Sequence, residues 1–326
     1  LDPKLKMLLP EPFSFKGMEE ATQRLVHAVE QHEKIGIFGD YDVDGACSAA
    51  LFHKVLTSLG CNVEIHIPDR FTEGYGPNIT ALQNLKNNNA SLILTVDCGI
   101  MAHEPLKAAS ESGLDIIVID HHLAGPNLPN AIAVVNPNRL DDESGFGYLC
   151  AAGVCFITCV ALLRALRQSG HTELPELLSF LDLVGLATFC DVVPIESLNR
   201  AFIRQGLVVM RNRRNTGLAA LADVAGLDKV VGEYECGFVL GPRINAAGRM
   251  GKSDIGVKLL LESDHEIAVS LAIKLDELNK QRRSIEQEIT VHATQQAEAQ
   301  LEENPDLLVL VIADKSYNEG VLGIVA

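Results

Sequence analysis

Three carboxylates at alternate positions, Asp40, Asp42 and Asp44, follow directly on the apolar run Ile35-Gly36-Ile37-Phe38-Gly39 and close on Gly45. Acids held a few ångströms apart raise one another's cost of ionising, so such a group is either a solvated turn or a seat for a cation. Asp and Gly are ordinary turn residues, and the stretch taken alone admits both readings. Two further apolar runs end in the same way. Leu92–Val96 gives onto Asp97-Cys98-Gly99, and Asp115–Ile119 onto Asp120-His121-His122. Aspartate oxygen and neutral imidazole nitrogen are donors suited to Mn²⁺, Mg²⁺ or Zn²⁺, and no thiolate cluster competes for the ion. The small residues after Gly45 read as the first turns of a helix, and a helix amino-terminus beside acids is a place for phosphate.

Positioning these residues takes a repeating scaffold. A helical pattern covers residues 18–32. Apolar strands then alternate with helical segments: strand 35–39, helix 46–59, strand 63–67, helix 77–88, strand 92–96, helix 103–112, strand 115–119 and a short strand near 132–135. This is the pattern of βαβ units, and it predicts an α/β fold with a parallel sheet flanked by helices. Right-handed crossovers put the carboxyl ends of such strands on one edge, where ligands of open α/β sheets bind. Two apolar helical blocks follow, 149–167 and 174–189, with the density of core helices. The second ends in Cys190-Asp191-Val192-Val193-Pro194; alone, Asp191 would be a helix-end residue.

Composition bounds the rest. At 326 residues and 47% hydrophobic content the chain can bury a large core. Eight cysteines without a C-x-x-C pair suggest reduced thiols in a cytoplasmic protein. No signal peptide is visible at the start, and the apolar stretch 151–163 is followed at once by Arg164 and Arg167, so no membrane span is expected. A net charge of −16 argues against a simple polyanion binder, though ligand carboxylates would account for part of it. Arg211, Arg213, Arg214, Arg243, Arg249 and Lys252 form a local basic cluster, for which a solvated face is the plain explanation. Residues 241–250, GPRINAAGRM, read as a loop in which small residues admit a ligand and arginine forks match phosphate.

Toward the carboxyl end, Ser263-Asp264-His265-Glu266 has the form of a capping box. A helix to residue 303 would span about 60 Å. It reads as a strut between lobes, and 307–312 as the first strand of a second domain that the chain begins and does not complete. The expected division is 1–263 for a catalytic domain, 264–303 for the connecting helix and 304–326 for the start of a truncated second α/β domain.

Taken together, Gly39-Asp40-Tyr41-Asp42-Val43-Asp44-Gly45, Val96-Asp97-Cys98-Gly99, Asp120-His121-His122 and Asp191-Val192-Val193-Pro194 resemble the DHH phosphoesterase superfamily. Pro242-Arg243-Ile244-Asn245-Ala246-Ala247-Gly248-Arg249 and the Leu278-Asn279-Lys280-Gln281-Arg282-Arg283 helix resemble its branch of bacterial single-strand-specific exonucleases. The resemblance covers nearly the whole chain. It implies two divalent metal ions, Mn²⁺ or Mg²⁺: one held by Asp44, Asp97, His121 and Asp191, the other by Asp42 and Asp97, with Asp97 bridging. Many members carry a histidine four residues before the position of Asp42; here that position is Phe38, and Asp40 is expected to complete the site.

Further implied are His122 as a catalytic, phosphate-contacting residue beside Asp97 and Arg243, and Asn245, Arg243 and Arg249 as substrate contacts. The activity implied is metal-dependent hydrolysis of single-stranded DNA from its 5′ end to mononucleotides, in DNA repair and recombination. A helicase or a single-strand-binding protein is a candidate partner. Two other readings share part of this evidence. A phosphodiesterase or pyrophosphatase acting on short oligonucleotides or cyclic dinucleotides would use the same ligands, and a non-catalytic replication scaffold would have lost several of them.

Overall fold

The computed structural model describes residues 3–227 and 230–325. Its centre is a five-stranded, wholly parallel sheet: β1 (Lys34–Gly39), β2 (Asn62–His66), β3 (Leu92–Val96), β4 (Asp115–Ile119) and β5 (Ala133–Val135), in spatial order β2-β1-β3-β4-β5. Both faces are covered, which is why the strands read as continuous apolar runs rather than as alternating ones. Ile35, Ile37, Leu94, Val96 and Ile119 belong to the larger core, under the Met18–Glu30, Val43–Ser58 and Ala151–Gln168 helices. Phe38, Ile93, Ile116 and Val118 form the smaller one, under Ile79–Asn87 and His103–Glu111. The Ala151–Gln168 helix is long and apolar enough to cross a membrane, but it is a core helix, mostly buried inside the fold.

Register sets the level of the site. Gly39 pairs with Val96 and Val96 with Ile119, so β1, β3 and β4 end together and Asp40, Asp97 and Asp120 leave the sheet side by side. The order in which strands are added reverses between β1 and β3, the point where such sheets open a crevice.

Beyond β5 the chain is helical and enlarges the first core. Leu181–Cys190 and Ser197–Arg211 pack so closely that a Cβ on Gly206 would lie 2.5 Å from the Leu181 carbonyl oxygen and 2.8 Å from the Gly185 Cα. Five expectations change here. Residues 174–189 are not one helix but a 3₁₀ turn, Leu177–Phe180, running into Leu181–Cys190. The expected loop at 241–250 is a helix, Gly241–Arg249, entered from a π-helical turn, Cys236–Leu240; Pro242 sits in its first turn, where a missing N–H costs nothing.

The long helix, His265–Glu303, is capped by Asp264, which accepts from the Glu266 and Ile267 amides, and not by Ser263. Its first half is no free strut, since Ala268, Ala272, Leu275 and Leu278 lie in the main core. Finally, 307–312 forms no strand. Leu308 is 98% exposed and Val311 73%, because among the described residues no neighbouring strand offers this segment a ladder.

Gly206→Ala should therefore destabilise the fold by about 1–3 kcal/mol, the usual cost of overpacking. A drop in the thermal unfolding midpoint would show it, with Gly323→Ala, where a Cβ meets nothing within 4 Å, as the silent control.

Candidate metal centre

The acids at the sheet edge arrive by different routes. Asp42 caps the Val43–Ser58 helix, its Oδ1 accepting the Gly45 amide at 3.0 Å. Gly45 is required there, since a Cβ would lie 2.4 Å from the Asp40 carbonyl oxygen. Two residues on, Asp44 is fully buried and accepts the Ala151 and Ala152 amides at 2.6 and 2.8 Å. It thus closes the amino-terminus of a second helix while facing the site. Asp97 leaves β3 with φ of +59°, a left-handed conformation that costs a non-glycine residue energy, and Val192, just after Asp191, carries the same φ. A β-branched residue in that region is a true outlier, and it sits where the chain must turn to present Asp191.

Three clusters result. Asp40, Asp42 and Asp97 offer ligand atoms within 4.8 Å of one another, carboxylate oxygens in this case, as do Asp44, His121 and Asp191, and Asp97, His121 and His122, with imidazole nitrogens from the histidines. His121 Nε2 lies 3.3 Å from Asp97 Oδ1, 3.6 Å from Asp191 Oδ2 and 3.9 Å from Asp44 Oδ2. The residues fit a pair of divalent cations on a specific ground: Asp40 Oδ1, His121 Nε2 and Asp191 Oδ2 are buried atoms without a hydrogen-bond partner. Burial, with repulsion from Asp42, pushes Asp40 up to about 8; burial and Asp44 push Asp191 up to about 8. Burial first, then the neighbouring acids, holds Asp97 far above the carboxylate range, and burial raises Asp44. Hard cations among oxygens relieve all of these together.

Phe38 is fully buried in the smaller core, with its ring 5.2 Å from the His66 imidazole, so it contributes nothing to the cluster that Asp40 enters. Asp120 supports rather than joins the clusters. Its carboxylate accepts the Ile100, His121 and His122 amides and, at 2.7 Å, His122 Nδ1. That bond drives His122 up to about 9, so the imidazole faces the cleft as a cation while Asp120 is held below the usual carboxylate range.

The clusters open into a cleft of about 530 Å³ lined by Asp40, Asp42, Asp44, His122, Asp191, Asn245 and Arg249 together with Tyr41, Arg70 and Tyr75. Arg243 is not among them. Its guanidinium is bound to Asp276 at 2.9 Å and to the Val239 carbonyl, tying the Gly241–Arg249 helix to the His265–Glu303 helix. Asn245 spends its Oδ1 on the Val43 amide at 2.9 Å, bracing the acidic turn. Of the basic cluster in the sequence, only Arg249 lines the cleft; Arg213 pairs with Asp223.

Sequence reasoning missed Arg70, whose guanidinium stands 5.0 Å over the Tyr41 ring, and Tyr75, because neither lies at a strand end. It also passed over Asn136 and Asn138, whose amides hold the His122 and His121 carbonyls. Their Asn-Pro-Asn spacing behind β5 was the available signal.

The DHH family, N-terminal domain, matches residues 34–188. The single-stranded-DNA-specific exonuclease RecJ of Bacillus subtilis is 41% identical over 317 residues, 97% of this chain and 39% of its own length. That of Escherichia coli is 38% identical over 336 residues, 100% of this chain and 58% of its own. The chain thus spans about half the length of these curated relatives. A crystal structure of RecJ from Thermus thermophilus in complex with Mn²⁺ superposes with a TM-score of 0.82 at 33% identity, covering 98% of this chain and 44% of that one. Another, of exonuclease RecJ bound to manganese, also gives 0.82, at 34% identity over 96% of this chain and 76% of that one. On this likeness, which runs through the helical region as well as the sheet, the chain belongs to the DHH family, in its RecJ branch.

Proposed function

We propose that this chain carries the hydrolytic centre of a metal-dependent exonuclease that takes single-stranded DNA from its 5′ end. The observation that carries the reading is the convergence of Asp40, Asp42, Asp44, Asp97, His121 and Asp191 on one sheet edge, with three buried ligand atoms left unpaired. Asp44, Asp97, His121 and Asp191 would hold one Mn²⁺ or Mg²⁺, and Asp40, Asp42 and Asp97 the other. When bound, such a pair supplies Lewis acidity at phosphorus and a water that deprotonates near neutral pH.

The residues of the chain supply the remainder. His122, cationic through Asp120, donates a hydrogen bond to a phosphoryl oxygen and opposes the charge that grows there. Arg249 and Arg70 hold the phosphodiester beside it. Tyr41 and Tyr75 wall the cleft with flat apolar faces, against which an unpaired base rests and a duplex does not. Binding to these arginines releases counterions and weakens with salt.

Incubation with Mn²⁺ and single-stranded DNA labelled at either end tests the reading. The expected result is prompt release of labelled mononucleotide from the 5′ end only, abolished in Asp97→Ala. Turnover of dinucleotides without attack on DNA would replace it with a small-substrate phosphodiesterase. Independently of activity, Mn²⁺ at a hundred times its Kd should raise wild-type stability by about 2.7 kcal/mol, and Asp191→Asn should lose most of that gain in a thermal shift. Asp120→Asn should lower the rate about 10- to 100-fold with the Mn²⁺ shift retained, because it releases the imidazole and not the ions.

A further inference from the structure

Tyr234 and Phe238 lie one helical turn apart with their rings stacked, centroids 5.1 Å apart and planes inclined by 24°. They are 65% and 67% exposed, in a chain with only 5 Tyr, 11 Phe and no Trp. An aromatic pair at this spacing steadies a helix by a few tenths of a kcal/mol, and that is the plain account of it. It does not account for the exposure, nor for the place.

Phe238 lies in the π-helical turn Cys236–Leu240 and Tyr234 just before it; such a distortion recurs at functional sites. The inner side of that turn is fixed against the helix that delivers Asp191. The Cys190 thiol donates to the Cys236 carbonyl, and a Cβ on Gly237 would strike the Phe189 ring at 2.4 Å. Cys190 and Asp191 themselves line the cleft. The two rings on this segment are exposed to solvent.

We infer that the Tyr234–Phe238 pair is a stacking platform for unpaired bases of a single strand engaged in the cleft. The inference rests on the exonuclease reading above and names a contact outside the metal centre. Its chemistry is base against ring, not phosphate against cation. Glu233 and Glu235 flank Tyr234 in sequence, and Glu235 is turned onto the Gly232 amide at 2.9 Å. Carboxylates there repel the backbone and leave the flat faces as the attractive surface. Stacking of this kind tolerates any sequence, since every base has a π-face.

The test uses Asp97→Ala protein, which binds without cutting, and oligo(dT) of increasing length. Tyr234→Ala with Phe238→Ala should weaken binding of the longer oligomers roughly tenfold, while the slope of log K against log salt stays unchanged because no cation is lost. Phe238→Trp gives the chain its only tryptophan, whose fluorescence oligo(dT) should quench. Unchanged affinity and no quenching, in protein that still binds oligo(dT) through the cleft, would overturn the platform and leave the pair as a protein contact. Failure of the parent to bind oligo(dT) at all would remove the exonuclease reading and the platform with it. An unaltered unfolding midpoint in the alanine variant establishes that the loss is of contact and not of fold.

Discussion

Burying several carboxylates in one place is the constraint on which the rest of this structure depends. Each buried acid must be matched by a donor or a cation, and the fold supplies donors unequally. Asp44 takes two amides from the Ala151–Gln168 helix amino-terminus, where the helix dipole also favours a negative charge. Asp120 takes three amides and an imidazole. Asp40, Asp97 and Asp191 receive far less, and burial drives all three upward. Matching stops at the oxygens that point toward one another. That division separates the acids that organise the scaffold from those left free for metal, and Asp44 belongs to both groups.

Sheet and helical layer meet at this point. The sheet edge provides Asp40, Asp97, His121 and His122 from strands that end level, while Asp191 must come across from the helical layer. Its approach is set by the close contact of the Leu181–Cys190 and Ser197–Arg211 helices at Gly185 and Gly206, and by Asn199, whose amide ties the Tyr148 and Pro194 carbonyls together. The left-handed Val192 is the local cost of turning the chain there. Asn245 reaches from yet another helix to the Val43 amide, so four separate segments hold a centre only a few ångströms across.

The sheet and most of the metal centre could be read from the sequence because their causes are local: apolar runs of strand length, each followed by its acid. Where the cause is distant, the reading failed. The tie of Arg243 to Asp276, 33 residues further on, has no local signal in the sequence. Gly and Asn in 241–250 suggested a loop, yet packing of Ile244, Ala246 and Ala247 into the core overrides their weak helix propensity. The segment 307–312 has strand composition, but a strand exists only as part of a ladder, and no described residues provide one.

The net charge of −16 and the proposed polyanionic substrate are compatible once charge is considered by position. The acids that matter are concentrated beneath the cleft floor, where divalent cations would neutralise them. Arg70 and Arg249 stand at its walls, close enough that burial, followed by repulsion from Arg70 and Arg282, lowers the Arg249 pKa. Like charges crowded at a partly buried wall are themselves an unfavourable arrangement, relieved by an anion passing between them. Floor and wall are therefore strained in opposite senses, and the proposed phosphodiester, seated over cations, would relieve both at once.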